Sequence, residues 1–483
     1  MPKKAEGVDL MRPNFRVLSE ARENWNKKLF FLLPLLTVVL RTVWLVVFPN
    51  NPVEPVDARG FQQLAHNLAA GNGFSMDPAA PFCPALVRTP LYPFYLTGIY
   101  ALLGEDPARA VLFSLLLEAL TTALVVRLGR TLSGRPGGAL AGLLYAFNFT
   151  TPHYAGALWS ETLLLPLMAA ALWATLTGWR RPGRRTAALA GLSWGLVVLT
   201  KPNFQYLALA MAGLWWLASR RQRWTTAFFG LGIMAAVGPW LIYNDQISGR
   251  WMLSTAFEEN LSRVSAVATL AAVRETPAEP WTPTWEVFYM EIVGQAADRY
   301  GWTVWDDAQL SCREREEHHR QIAVVAGEVT RAHPLEMLGA HLWGVGHSLW
   351  DPGHARLYLL LTGRSWESTG VVEDIWVRMG ESLRIWAVGD ALYVFWMERV
   401  VRIPWDAALL WWGLGIGRLG LWYAGLRGAG RLRRRWPAAL ALIGVIGYCI
   451  GLAGPIAYDR FYLPAIPAVI TLVVVGIFSG SRQ

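Results

Sequence analysis

Residues 29–48 form a long apolar run entered from the basic flank Lys27–Lys28, and runs like it recur to the end of the chain. No other feature constrains the fold as much. In hydrocarbon every backbone N–H and C=O must be satisfied without water, so successive runs of this length are read as helices. Further runs fall near 108–128, 137–151, 161–177, 186–200, 203–218 and 225–243, then near 404–426, 437–452 and 461–478. Residues 335–350 and 383–397 are an additional pair; parity requires both to cross or neither. The expectation is an all-α polytopic membrane protein of about 10–12 transmembrane helices. Composition agrees: of 483 residues 54% are hydrophobic, 12% aromatic and only 16% charged. The net charge of +9 does not point to nucleic acid, because the arginines sit in short loops between apolar runs.

Those arginines orient the chain. Clusters at 127–135, 180–185, 220–223 and 427–435 belong on the cytoplasmic side by the positive-inside rule. The runs then alternate correctly if 91–103, apolar but short, lies at the outer interface as a juxtamembrane helix. The chain divides into a cytoplasmic segment 1–28, a transmembrane catalytic module 29–245 with an outer loop 49–106, an outer or juxtamembrane segment 246–403, and C-terminal transmembrane helices over 404–483. Cys83 and Cys312 both fall outside on this topology, so a bridge between them is open. None of the three cysteines has metal-ligand spacing, and His318 and His319, being adjacent, do not present a zinc pair on one helical face. The EREEHH stretch reads as a solvated helix.

The polar residues that could carry chemistry collect on the outer side. Asp57 opens a short amphipathic helix over 58–70, with Phe61, Leu64, Ala65, Leu68 and Ala69 on one stripe and Gly71 closing it. Asp57 reads either as the N-cap or as a general base. Glu161 begins a span, as a functional intramembrane acid or as a first-turn acid favoured by the helix dipole. Lys201 is the only lysine after Lys28; it reads as a chosen point charge or as a snorkelling side chain. Arg88 and Arg460 add outer cations beside Pro-fixed backbone. Carboxylates with cations at one membrane face suit a phosphate held at the interface while its lipid tail stays in the bilayer.

The order of these pieces resembles a known family. A span is followed by D-x-x-x-F-x-x-L-A-x-x-L-x-x-G-x-G-F, then R-T-P-L-Y-P, then S-E opening a later span, then L-T-K-P, and finally R-F-Y-L-P-x-x-P. This is similar to the membrane glycosyltransferases of the GT-C fold, in the branch of protein O-mannosyltransferases and the lipid A aminoarabinose transferase. The resemblance covers roughly residues 30–215 and 455–480. It implies Asp57 as catalytic base, Arg88 on the lipid phosphate, and Glu161 and Lys201 as the later acid and the T-K pair. Arg460, Glu54 and Tyr92 join the substrate-binding candidates. Aminoarabinose transferases carry a metal-binding acid just before the basic residue, where this chain has Val87. Protein mannosyltransferases carry an Asp-Glu pair, whereas here Asp57 is followed by Ala58 and Glu54 precedes it. The sequence therefore assigns no metal ligand.

The expected function is sugar transfer, with inversion, from a polyprenyl-phosphate-linked donor to an acceptor hydroxyl of a lipid, glycan or protein, on the outer face of the cytoplasmic membrane. The alternative is a transporter or flippase of lipid-linked saccharides, which would show inverted repeats and mid-membrane polar residues.

Overall fold

A computed structural model describes residues 15–49, 51–53, 56–220, 222–276, 282–302, 310–350, 354–364, 388–452, 454–456 and 462–478. Among them there is no strand, only one isolated bridge between Ser75 and Pro84. The helices in chain order are α1 (Phe15–Val47), α2 (Val56–Ala70), α3 (Leu91–Leu103), α4 (Pro107–Ala146), α5 (Thr151–Ala155), α6 (Glu161–Gly178), α7 (Arg184–Thr200), α8 (Gln205–Ala218) and α9 (Thr225–Ser248). Then come α10 (Ala256–Asn260), α11 (Ala266–Val273), α12 (Pro283–Tyr300), α13 (Cys312–Ala332), α14 (Pro334–Trp350), α15 (His354–Thr362), α16 (Val388–Trp396), α17 (Trp405–Arg431), α18 (Trp436–Leu452) and α19 (Ile466–Phe478).

Among the described residues, four helical stretches are long and apolar enough to cross a membrane: α4, α6, α9 and Arg433–Leu452. The apolar part of α1, Phe31–Val47, together with α3 and Leu463–Phe478, is shorter. The runs near 108–128 and 137–151 merge into α4, but the helix is broken where Gly134 takes a positive φ of 73° just ahead of Pro136. Glycine alone tolerates that backbone without strain, and proline restarts a helix well.

The bundle is apolar outside as well as in its core. On α4, Leu112, Leu116 and Leu120 lie at i, i+4 and i+8 and are 61%, 60% and 49% exposed, whereas Glu118 on the other face is 1% exposed. An apolar stripe of that kind seeks lipid, and the ionisable group faces the interior. Close approach between helices rests on small residues. α7 and α9 pack together most extensively, and at Gly191 and Gly232 a Cβ would run into the partner helix's backbone at Phe229 and Ala188. Gly428 on α17 and Gly476 on α19 make the same kind of contact.

Three of the arginine clusters gather at one end. Arg180 donates to the Thr131 carbonyl at 2.5 Å, and its guanidinium is lowered first by burial and then by the charge of Arg435. The opposite ends of α6 and α7 carry Glu161 and Lys201. A 17-residue helix rises about 25 Å, so these two residues lie a membrane's breadth from the arginines.

The segment after α9 is a folded unit. α11, α12 and α13 share a small core of Ala266, Val267, Leu270, Trp285, Phe288, Ile292 and Val325. The EREEHH stretch lies in the first half of α13, which begins with a capping box between Ser311 and Glu314; Glu314 and His319 are exposed and the four residues between them half-buried. This unit is fixed to the loop between α2 and α3 by a disulfide, Cys83–Cys312, and by an ion pair of Arg315 with Asp77 at 2.8 Å.

Candidate functional site

α2 begins at Val56, so Asp57 lies inside its first turn and is not the residue that caps it, as the sequence suggested. Its stripe of Phe61, Leu64 and Ala65 is buried, and Gly71 ends it at φ 80°. This leaves the Asp57 carboxylate at the helix's open end, where Arg88 meets it: Nη2 to Oδ1 is 2.5 Å. Arg88 comes from the loop before α3, two residues ahead of Pro90, and its guanidinium lies over the Phe61 ring at 5.1 Å. The same apolar stripe that seats α2 therefore also seats the arginine.

Glu161 is the first residue of α6 and is 1% exposed. Ser160 donates to its Oε2 at 3.2 Å, and the Lys201 ammonium pairs with its Oε1. Lys201 follows α7 in extended backbone (φ −148°, ψ 107°) and precedes a short 3-10 turn at Pro202–Phe204. The Tyr448 hydroxyl donates to the carbonyl of Asn203 in that turn. Burial of the carboxylate fixes the ammonium, because neither charge is tolerated alone.

The two pairs face one cavity of about 670 Å³. Asp57, Arg88, Glu161 and Lys201 line it, with Phe61, Tyr154, Trp159 and Pro202 as its apolar wall. The structure thus brings together four sequence candidates separated by up to 144 residues, from Asp57 to Lys201. Tyr92 is elsewhere. It is 1% exposed in the main core, edge-on to Phe61 at 4.8 Å and beside Tyr95, and burial raises its phenol. It packs behind the wall that holds Arg88 rather than facing the cavity. Glu54 and Arg460 lie outside the described residues.

Sequence reasoning missed the other side of the cavity. Glu259 and Asn260 from α10, and Arg263 from the π-helical turn Leu261–Ser265 that follows it, close the cavity opposite Asp57. A π-turn inserts one residue into a helix and is common at functional sites; no pattern in AFEENLSRVS signals it. His153 on α5 also lines the cavity. α5 hangs from a buried network that was legible but unused. Arg41, inside the first apolar run, donates to Glu118 Oε2 at 2.9 Å, to the carbonyls of Ala146 and Tyr145, and to Thr151 Oγ1 at 2.7 Å. Tyr145 donates its hydroxyl to Glu118 Oε1 at 3.0 Å. Ionisable residues in an apolar run are the signal that could have found this network.

Among the described residues no three His, Cys, Asp or Glu side chains converge as metal ligands. Val87 offers no donor, and the carboxylates of Asp57 and Glu161 are each engaged by a cation. These residues do not fit a resident metal.

Residues 87–243, about a third of the chain, match the family model described as dolichyl-phosphate-mannose-protein mannosyltransferase. That stretch includes Arg88, Glu161 and Lys201, in line with the resemblance read from the motifs. No curated protein matches the chain. Among solved structures it is similar to the oligosaccharyltransferase of Archaeoglobus fulgidus in complex with Zn and sulfate, at 14% identity and a TM-score of 0.39 over 92% of this chain and 48% of that one. It is also similar to ArnT from Cupriavidus metallidurans bound to undecaprenyl phosphate, at 13% identity and a TM-score of 0.38 over 92% of this chain and 76% of that one. The chain spans about half the length of the archaeal chain.

Proposed function

We propose that the protein transfers a sugar from a polyprenyl-phosphate donor to an acceptor hydroxyl, with inversion, at the outer face of the cytoplasmic membrane. One observation carries the reading: Asp57, Arg88, Glu161 and Lys201, drawn from distant stretches, face a single cavity. The mannosyltransferase family match over 87–243 supports it. Arg88 and Lys201 bind the phosphate, which competes with the carboxylates for their donors. Release of the Asp57 carboxylate from Arg88 leaves it to accept the proton of the acceptor hydroxyl. The hydroxyl oxygen then attacks the anomeric carbon on the face opposite the phosphate. The bond between that carbon and the phosphate oxygen breaks, and its electron pair departs on the phosphate, stabilised by the two cations. Glu161 orients Lys201.

Arg88→Ala should weaken binding of polyprenyl phosphate about ten- to hundredfold, the effect of losing one charge-assisted bond. Lys201→Ala alone would strand the buried Glu161, so it is best paired with Glu161→Gln; the pair should show a loss of similar size. Calorimetry or fluorescence with the lipid phosphate measures both, and parental affinity in both variants would move the phosphate elsewhere.

The sidedness rests on the arginine clusters at the far end of the bundle and on the cysteine bridge, which suits an oxidising compartment. A cysteine at Ala79 should be labelled from outside by an impermeant maleimide, and one at Gly183 should not. The reverse pattern at either position rejects the orientation.

A further inference from the structure

A second cavity of about 920 Å³ adjoins the first, and Val87, Glu259 and Arg263 line both. Its walls come from the first outer loop, the end of α9, the turn at Leu261–Ser265 and α13, and the Cys83–Cys312 bridge forms part of them. We propose that this cleft is the acceptor subsite and takes a neutral, polyhydroxylated chain, an oligosaccharide. The proposal rests on the glycosyl-transfer reading of the first cavity.

The lining chemistry selects the ligand class. Five arginines and five carboxylates line the cleft. They neutralise one another locally: Arg250 pairs with Glu258 and lies 3.8 Å from Glu316, and Arg320 meets Glu317 at 2.6 Å. A surface of paired charges has little net field to hold an anionic or cationic ligand, yet it is dense in directional donors and acceptors. Hydroxyl groups, each both donor and acceptor, match such a surface along their whole length. A peptide held by strand addition would need a sheet edge, and no strand exists among the described residues. The volume is near the top of the range of about 300–1,000 Å³ that encloses a ligand. A chain lying in the cleft would present one hydroxyl past Val87, Glu259 and Arg263 toward Asp57, the residue that must take its proton.

The test uses the full-length protein in detergent on an array of neutral and anionic oligosaccharides, with a random peptide array beside it. Ser248→Trp fills the cleft from the end of α9, and Glu316→Gln with Arg320→Ala removes charges without adding bulk. Neutral oligosaccharides should bind the parent and bind each variant about tenfold or more weakly, while polyprenyl phosphate binds all three alike. Oligosaccharide binding unchanged in a folded variant overturns the assignment, as does an array that shows only anionic glycans or only peptides. If the parent fails to bind polyprenyl phosphate yet shows the variant-sensitive glycan binding, the donor reading falls, and the cleft stands as an oligosaccharide site but no longer as an acceptor subsite.

Discussion

Asp57→Asn should leave a folded protein that binds its donor at least as tightly as the parent and turns over about 10²- to 10⁴-fold more slowly. The structure sharpens this expectation. Asp57 is in the first turn of α2 and its carboxylate is held by Arg88. Asn keeps the shape and still accepts a hydrogen bond from the guanidinium; it gives up the favourable charge at the helix N-terminus, about 0.3–1 kcal/mol, and the ionic part of its pair with the half-buried Arg88. What it cannot do is take a proton. The stability change and the rate change are therefore far apart in size, and the two roles separate cleanly. Glu161→Gln run alongside should lose less activity, because Glu161 is buried against Lys201 and acts by holding that ammonium in place. Single-turnover rates on the donor–acceptor pair, with thermal unfolding as the control, make the measurement. Parental turnover in Asp57→Asn would remove the residue from catalysis and leave it a structural acid.

Arg41→Met is expected to be the most destabilising single change. Arg41 and Glu118 are 2% and 1% exposed and 2.9 Å apart. Breaking a buried pair from one side costs about 3–5 kcal/mol, since the remaining charge is stranded. That is a large share of a typical total stability of about 5–15 kcal/mol. Adding Glu118→Leu should recover part of the loss, because an apolar pair of similar volume needs no solvation. Recovery stops short of the parent: the Tyr145 hydroxyl and Thr151 also lose partners. Unfolding in detergent, followed by tryptophan fluorescence, reads the three variants. Equal stability of Arg41→Met and the parent would mean that the network carries no net energy.

Much of this architecture was legible because membranes simplify the code. Apolar runs became helices over 161–178, 184–200, 205–218 and 225–248, and the gap between the runs 108–128 and 137–151 falls where α4 breaks. The site was half legible. Asp57, Arg88, Glu161 and Lys201 stand out as polar residues at the edges of apolar runs, where their cost demands a reason. Arg263 and Glu259 do not, because they belong to an ordinary-looking amphipathic stretch, and only the tertiary fold turns a π-helical turn toward the cavity. Tyr92 is a different case: it does not line the cavity and is buried one layer behind it, beside Thr162 and Glu161. Its motif suggested a polar handle on substrate, but the spacing that seats α3 on α2 buries its ring against Phe61. Arg41 and Glu118 were read as parts of apolar runs, and neither suggested the other, being 77 positions apart.

The glycine contacts between α7 and α9 have a mechanical meaning. Backbone against backbone, with no side chain between, leaves no soft layer to absorb sliding, so the two helices tilt as one lever. One arm of that lever ends at Lys201, which grips the leaving phosphate in the scheme above. The other ends at Ser248 and hands the chain to Arg250, on the wall of the second cleft. In the proposed scheme this close contact joins the end of α7 that holds Lys201 to the end of α9 that borders the second cleft.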